Sequence, residues 1–149
     1  MKKTNNHISI LMADDDPDDR MLMQEALAEN NISNSIYFVE NGEELLDYLN
    51  RSGKYANKMC VTPGIIFLDL NMPKIDGRQA LKQLKADPVL RKIPIIILTT
   101  SKAEFDILEA YDLGVNSFIS KPVRFDELVE VTREISSYWF GTVSLPTSK

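Results

Sequence analysis

Ile65-Ile66-Phe67-Leu68 is an unbroken run of large apolar residues that ends at Asp69, with Pro73 and the Asp76-Gly77 turn signal close behind. Such a run, with no polar alternation, reads as a strand buried on both faces, the habit of a central strand in a parallel sheet. In open parallel α/β sheets, ligands and chemistry sit outside the carboxyl ends of the strands. Asp69 is therefore a carboxylate on a rigid support at the functional edge. Taken alone it serves equally well as a cap for the next helix, so the rest of the chain decides.

The remaining pattern repeats the same unit. Ile8 to Ala13 reads as a first buried strand and ends in Asp14-Asp15-Asp16. Asp16 suits a helix N-cap, Pro17 the first helical position and Asp19 the third, so a helix starts there and runs to about Asn30. Ile36 to Val39 is a second strand, and Asn41-Gly42 opens a helix with Leu45, Leu46 and Leu49 inward. A polar connection, Arg51 to Pro63, is longer than is usual inside a compact α/β domain, and reads either as a functional loop or as a tolerated insertion. After the opening strand, Gly77 to Asp87 is a helix with Ala80, Leu81 and Leu84 inward. Pro94 to Leu98 is a buried strand ending in Thr99, and Ala103 to Leu113 a helix stopped by Gly114. Ser117-Phe118-Ile119 is a short fifth strand ending at Ser120-Lys121-Pro122, and Asp126 to about Phe140 the last helix. Strand and helix alternate five times, which argues for a parallel sheet with helices on both faces and right-handed crossovers. The domain is expected over residues 8–140, with an N-terminal arm over 1–7 and a tail over 141–149.

Composition narrows the function. A net charge of -5 argues against unassisted binding to nucleic acid or to an anionic membrane. The single cysteine, Cys60, excludes an intrachain disulfide and a cysteine-rich zinc site. Neither a signal peptide nor a membrane span is evident, so the cytoplasm is the expected compartment. His7, the only histidine, reads as a solvated arm residue, so the chain looks like an acceptor supplied by another protein.

Parallel strands bring Asp14-Asp15-Asp16, Asp69, Thr99 and Lys121 to one edge. Each has an ordinary explanation as a cap or a surface charge, but joint placement on four strand ends points to phosphoryl transfer onto a carboxylate. Clustered carboxylates repel unless a cation neutralises them, and oxygen ligands of this kind suit Mg²⁺. Asp69 is then the nucleophile, yielding an aspartyl phosphate. Mg²⁺ and the Lys121 ammonium stabilise charge on the phosphoryl oxygens. The Thr99 hydroxyl donates to one of those oxygens once the group is attached.

With these residues in place the chain resembles the receiver domains of bacterial two-component response regulators. The matching residues are Asp14-Asp15, Asp69 within Asp-Leu-Asn-Met-Pro-Lys-Ile-Asp-Gly, Thr99, and Lys121-Pro122, and the resemblance runs from Ile8 to about Tyr138. It implies a single-domain flavodoxin-like (βα)5 fold with five parallel strands in the order 2-1-3-4-5. It also implies that Asp69 accepts phosphate from a histidine kinase or a histidine phosphotransfer protein. Asp15, Asp69 and the backbone carbonyl of Asn71 are implied as Mg²⁺ ligands, with Asp14 assisting through water. Phe118 matches the family's aromatic switch position, paired with Thr99, and Lys121-Pro122 its cis-prolyl bond. The long Arg51–Pro63 loop, Tyr138-Trp139-Phe140 and Val143-Ser144-Leu145-Pro146 resemble the stand-alone receivers that partner bacterial phytochromes.

Two other functions compete. A phosphatase of the haloacid-dehalogenase type also uses an aspartate nucleophile, but needs a second aspartate two residues on as general acid. Asn71 occupies that position and cannot act as one. A receiver-shaped binding module that is never phosphorylated is disfavoured by the intact Asp14, Asp15, Asp69, Thr99 and Lys121 set. The expected protein is thus not an enzyme but a phosphoacceptor with slow self-dephosphorylation, tuned by Asn71 and Ser101. The last helix and the tail carry more apolar residues than one inward stripe requires. A homodimer through them is expected, the alternative being a tail that folds back on its own domain.

Overall fold

The computed structural model describes residues 7–146. The expected arm and tail fall partly outside this range, at residues 1–6 and 147–149. Five parallel strands form one sheet in the order β2-β1-β3-β4-β5. They are β1 (Ile10–Ala13), β2 (Ile36–Val39), β3 (Ile65–Leu68), β4 (Ile95–Thr99) and β5 (Ser117–Ser120). The helices are α1 (Pro17–Glu29), α2 (Gly42–Asn50), α3 (Gly77–Ala86), α4 (Glu104–Asp112) and α5 (Phe125–Gly141). The expected topology is therefore the observed one.

Alternation along the central strands divides the core in two. Leu11, Ala13, Ile66, Leu68, Ile95 and Ile97 face one side and pack with Leu45 of α2 and Ala80, Leu81 and Leu84 of α3. Ile10, Met12, Ile65, Phe67, Ile96 and Leu98 face the other and pack with Met23 and Leu27 of α1 and Ile135 and Phe140 of α5. A strand buried on both faces needs apolar residues at every position, which is why these runs show no period of two. Tyr48 joins the first cluster more fully than Leu46 or Leu49, and its hydroxyl donates to the Val61 carbonyl at 3.0 Å. That bond anchors the Arg51–Pro63 connection, which contains a short 3₁₀ turn at Gly53–Tyr55.

The helix starts follow their local chemistry. Asp16 caps α1 by accepting from the Asp18 N–H at 2.9 Å, with Pro17 at the first helical position. Asp76 and Gln79 form a reciprocal capping box on α3. The tail turns back at its described end, where Leu145 packs against the second cluster. Leu145 thus follows the fold-back alternative.

Candidate functional site

Backbone pairing brings four strand ends into register. The Asp69 N–H donates to the Ala13 carbonyl at 3.0 Å, the Asp14 N–H to Val39 at 3.0 Å and the Lys121 N–H to Thr99 at 2.7 Å. Asp14, Asp69, Thr99 and Lys121 therefore converge above the sheet, as the sequence led us to expect. Asp15 sits exposed at the rim. One carboxylate oxygen from each of Asp14, Asp15 and Asp69 can be chosen so that all three lie within 4.8 Å of one another, a spacing that one cation can bridge.

The Asp69 carboxylate is almost wholly buried and fully engaged. Its Oδ1 accepts from the Thr99 hydroxyl at 2.8 Å and from the Asn71 N–H at 3.1 Å. Its Oδ2 accepts from the Lys121 ammonium at 3.2 Å. The Asn71 side-chain amide reaches Thr99 Oγ1 at 3.4 Å. Phe118 lies below this edge, partly buried against the first core cluster, and its N–H donates to the Tyr111 hydroxyl at 3.2 Å.

Lys121 gathers three carboxylates, with Nζ 2.6 Å from Asp19, 2.7 Å from Asp14 and 3.2 Å from Asp69. Burial works against the ammonium, but its close contacts with the Asp14 and Asp19 carboxylates outweigh that and raise its pKa above the usual lysine value. Burial dominates at Asp14 instead, aided by the nearby Asp69 charge. It pushes that carboxyl up to about 6 against the opposing pull of Lys121 and the Asp16 N–H. The Asp14 Oδ2 atom is buried and touches Lys121 as an ion pair, yet at an angle that leaves it without a hydrogen bond. A buried carboxylate oxygen in that condition is suited to a metal ion or to a water bound to one, so the donor set fits a hard divalent cation.

One expectation is overturned. No peptide bond among the described residues is cis, so Lys121-Pro122 is trans. Trans is the lower-energy isomer of an X–Pro bond by about 0.5–1 kcal/mol, and the motif alone does not reverse that preference.

Four residues of the site, Asp19, Arg20, Arg78 and Asp106, are not singled out by the sequence. Asp19 has the ordinary look of a helix-start acid, and its contact with Lys121 depends on β5 lying near the start of α1. Arg20 donates to the Asp14 carbonyl at 2.7 Å and holds the acidic loop. Arg78 grips Asp106 with two bonds, at 2.8 and 3.1 Å, and Asp106 accepts from Ser101 at 2.5 Å. These bonds keep Asp106 below the ordinary carboxylate range, Arg78 contributing most and Ser101 next. Nothing in the spacing of Arg78 and Asp106 marks the pair, because the sheet topology alone brings α3 beside α4.

Comparison with known proteins agrees with this geometry. The family described as response regulator receiver domain matches residues 10–133. Response regulator Rcp1 of Synechocystis sp. (strain ATCC 27184 / PCC 6803 / Kazusa) is 36% identical over 139 residues, which cover 93% of this chain and 93% of Rcp1. The crystal structure of the phosphorylated cyanobacterial phytochrome response regulator RcpA is 40% identical. It superposes with a TM-score of 0.87 over 95% of this chain and 99% of that one. The Mn²⁺-bound form of Rcp1 gives 36% identity and a TM-score of 0.86 over 94% and 99% of the two chains.

Proposed function

For this chain, which belongs to the response regulator receiver domain family, we propose phosphorylation on Asp69 by a histidine kinase or a histidine phosphotransfer protein. The observation that carries the reading is the convergence of Thr99, Lys121 and the Asn71 N–H on one buried carboxylate beside an acidic cluster.

An Asp69 oxygen attacks phosphorus, the new P–O bond forming as the bond to the donor nitrogen breaks, and the donor imidazole keeps that electron pair. Thr99 and Lys121 already point at the carboxylate, so each needs only a small shift to follow the charge onto phosphoryl oxygens. Asp15, Asp69 and the Asn71 carbonyl, with Asp14 in support, would hold Mg²⁺. When bound, the ion neutralises the acidic cluster and the transferring group. Asn71 offers no carboxyl group for fast hydrolysis, so the haloacid-dehalogenase reading has no general acid here. The chain's own contribution to loss of the phosphate is slow.

Incubation with acetyl phosphate and Mg²⁺ is expected to add one phosphoryl group, and Asp69→Asn to abolish it. Undiminished labelling of that variant refutes the assignment. Asp15→Ala should weaken metal binding and labelling together, whereas Asp16→Ala, which removes only the α1 cap, should spare both.

Signalling is proposed to run through Thr99 and Phe118. A phosphoryl group draws the Thr99 hydroxyl to a new acceptor, and Phe118 repacks beside it in a two-state change that a partner reads. The partner kinase is proposed to be of the phytochrome class, as the resemblance implies, and the compartment the cytoplasm. No helix among the described residues is long and apolar enough to cross a membrane. A homodimer through α5 and the tail is supported by Tyr138, 52% exposed, beside the partly buried Trp139, whereas Leu145 packs on the chain's own core and is not available to it. Deleting residues 141–149 together with Trp139→Ala should turn a sedimenting dimer into a monomer. Intact protein that stays monomeric at high micromolar concentration, phosphorylated or not, removes the dimer.

A further inference from the structure

We propose that Asp19 is a positioning residue that draws the Lys121 ammonium away from the phosphoacceptor and so weakens the site's hold on an anionic phosphodonor. The inference rests on the reading of Asp69 as phosphoacceptor.

A lysine ammonium has three N–H donors on a flexible stem, so its position is set by the anions around it. Here three carboxylates compete, and the longest contact, 3.2 Å, is the one to Asp69, against 2.6 Å to Asp19 and 2.7 Å to Asp14. Asp14 and Asp69 belong to the cluster suited to a cation, whereas Asp19 does not. Arrival of a cation or a phosphoryl group therefore redirects two of the three contacts and leaves Asp19's hold unchanged.

That hold comes from a rigid support. Asp19 lies in the first turn of α1, whose start is fixed by the Asp16 cap and Pro17, and whose Arg20 grips the Asp14 carbonyl. Beside the pair, Met12, Met23, Leu98 and Leu128 line a small apolar hollow that leaves the lysine stem room to move. Neutralising Asp19 frees Nζ to move toward Asp69 and removes a negative charge facing the donor. Both effects strengthen donor binding.

The test is the rate of phosphorylation of the whole chain against acetyl phosphate concentration, at saturating Mg²⁺. Asp19→Asn is expected to lower the half-saturating donor concentration about three- to tenfold, the effect of one nearby, partly screened charge. The limiting rate should change by less than about twofold, since uniform binding is what alters. Asp19→Glu should return the half-saturation toward wild type. Asp18→Asn removes an equal charge from the exposed side of the same turn and should leave it unchanged. An unchanged or raised half-saturation in Asp19→Asn overturns the proposal, as does an equal fall in Asp18→Asn. Thermal midpoints check folding, and Asp19→Ser provides a second neutral variant. Labelling that persists when Asp69→Asn is added to Asp19→Asn refutes the phosphoacceptor reading instead, independently of any half-saturation.

Discussion

Gly77→Ala should damage this protein far more than its size suggests, because Gly77 is where α3 touches the strand end that carries Asp69. A Cβ built on Gly77 would stand 2.3 Å from the Asp69 carbonyl oxygen and 2.6 Å from the Leu70 Cα, both backbone atoms. Non-bonded heavy atoms sit comfortably at about 3.5–4.0 Å, so the helix start must retreat by roughly 1 Å. Retreat stretches the Gly77 N–H bond to the Leu70 carbonyl, now 3.0 Å, and lifts Ala80, Leu81 and Leu84 from the first core cluster. Overpacking costs about 1–3 kcal/mol, here at the upper end because no flexible side chain can yield. A weakened hydrogen bond adds about 1 kcal/mol, and the better helix propensity of alanine returns up to about 1 kcal/mol. The net loss is about 3 kcal/mol. With a urea dependence of about 2 kcal/mol per molar, the unfolding midpoint falls by roughly 1.5 M. Gly141→Ala is the control, since nothing lies within 4 Å of a Cβ there. It should raise stability by up to about 1 kcal/mol. A Gly77→Ala midpoint within about 0.3 M of wild type refutes the steric argument.

Two further outcomes are expected. In metal-free protein the folded Asp14 carboxyl, at about 6, lies above its ordinary value of 3.8. Its contribution to stability is therefore fully present below about pH 4 and lost as pH rises through about 6, up to about 3 kcal/mol in all. Urea midpoints in chelator from pH 4 to 7.5 should show that fall, and Asp14→Asn should lack it. Phe140→Ala empties a fully buried position in the second core cluster and should cost about 3–5 kcal/mol by the same measurement.

The fold was legible because its signals are local and redundant. Runs such as Ile65-Ile66-Phe67-Leu68 carry strand identity and two-sided burial at once. Asp16-Pro17 and Asp76-Gly77 mark helix starts whose caps depend only on near neighbours. Asp14, Asp69, Thr99 and Lys121 were legible because each ends a strand, and parallel topology turns that rule into a place. What escaped depends on distance through space. Arg78 and Asp106 are separated by a strand and its connections, and Asp19 meets Lys121 across 102 positions of sequence. The isomer of Lys121-Pro122 escaped for another reason, since a dipeptide motif does not fix a balance of about 1 kcal/mol. Leu145 looked like surplus apolar surface because a linear sequence does not show that the chain turns back onto its own core.

Under the proposed Thr99 switch, helix α4 would report the state of Asp69, because it is the helix least committed to the core. Its only buried residue is Ala110, while Phe105, Leu108 and Tyr111 face outward. What fixes it is largely polar: the grip of Arg78 on Asp106, the Ser101 bond to Asp106, and the Tyr111 hydroxyl on the Phe118 N–H. Ser101 lies two residues beyond Thr99, and its N–H reaches Thr99 Oγ1 at 3.5 Å. Movement of Thr99 toward a phosphoryl oxygen, as proposed, would therefore pull on the tie that seats the helix start. An element held by polar contacts with little buried apolar area opens at low free energy. Amides of α4 should exchange faster than those of α3 and α5 in the unphosphorylated protein. Arg78→Gln removes a pair that is partly exposed, and so discounted to about 1 kcal/mol, which raises α4 exchange about fivefold. Protection of α4 equal to that of α5, or exchange indifferent to Arg78→Gln, would show that the helix is seated by something other than this tie.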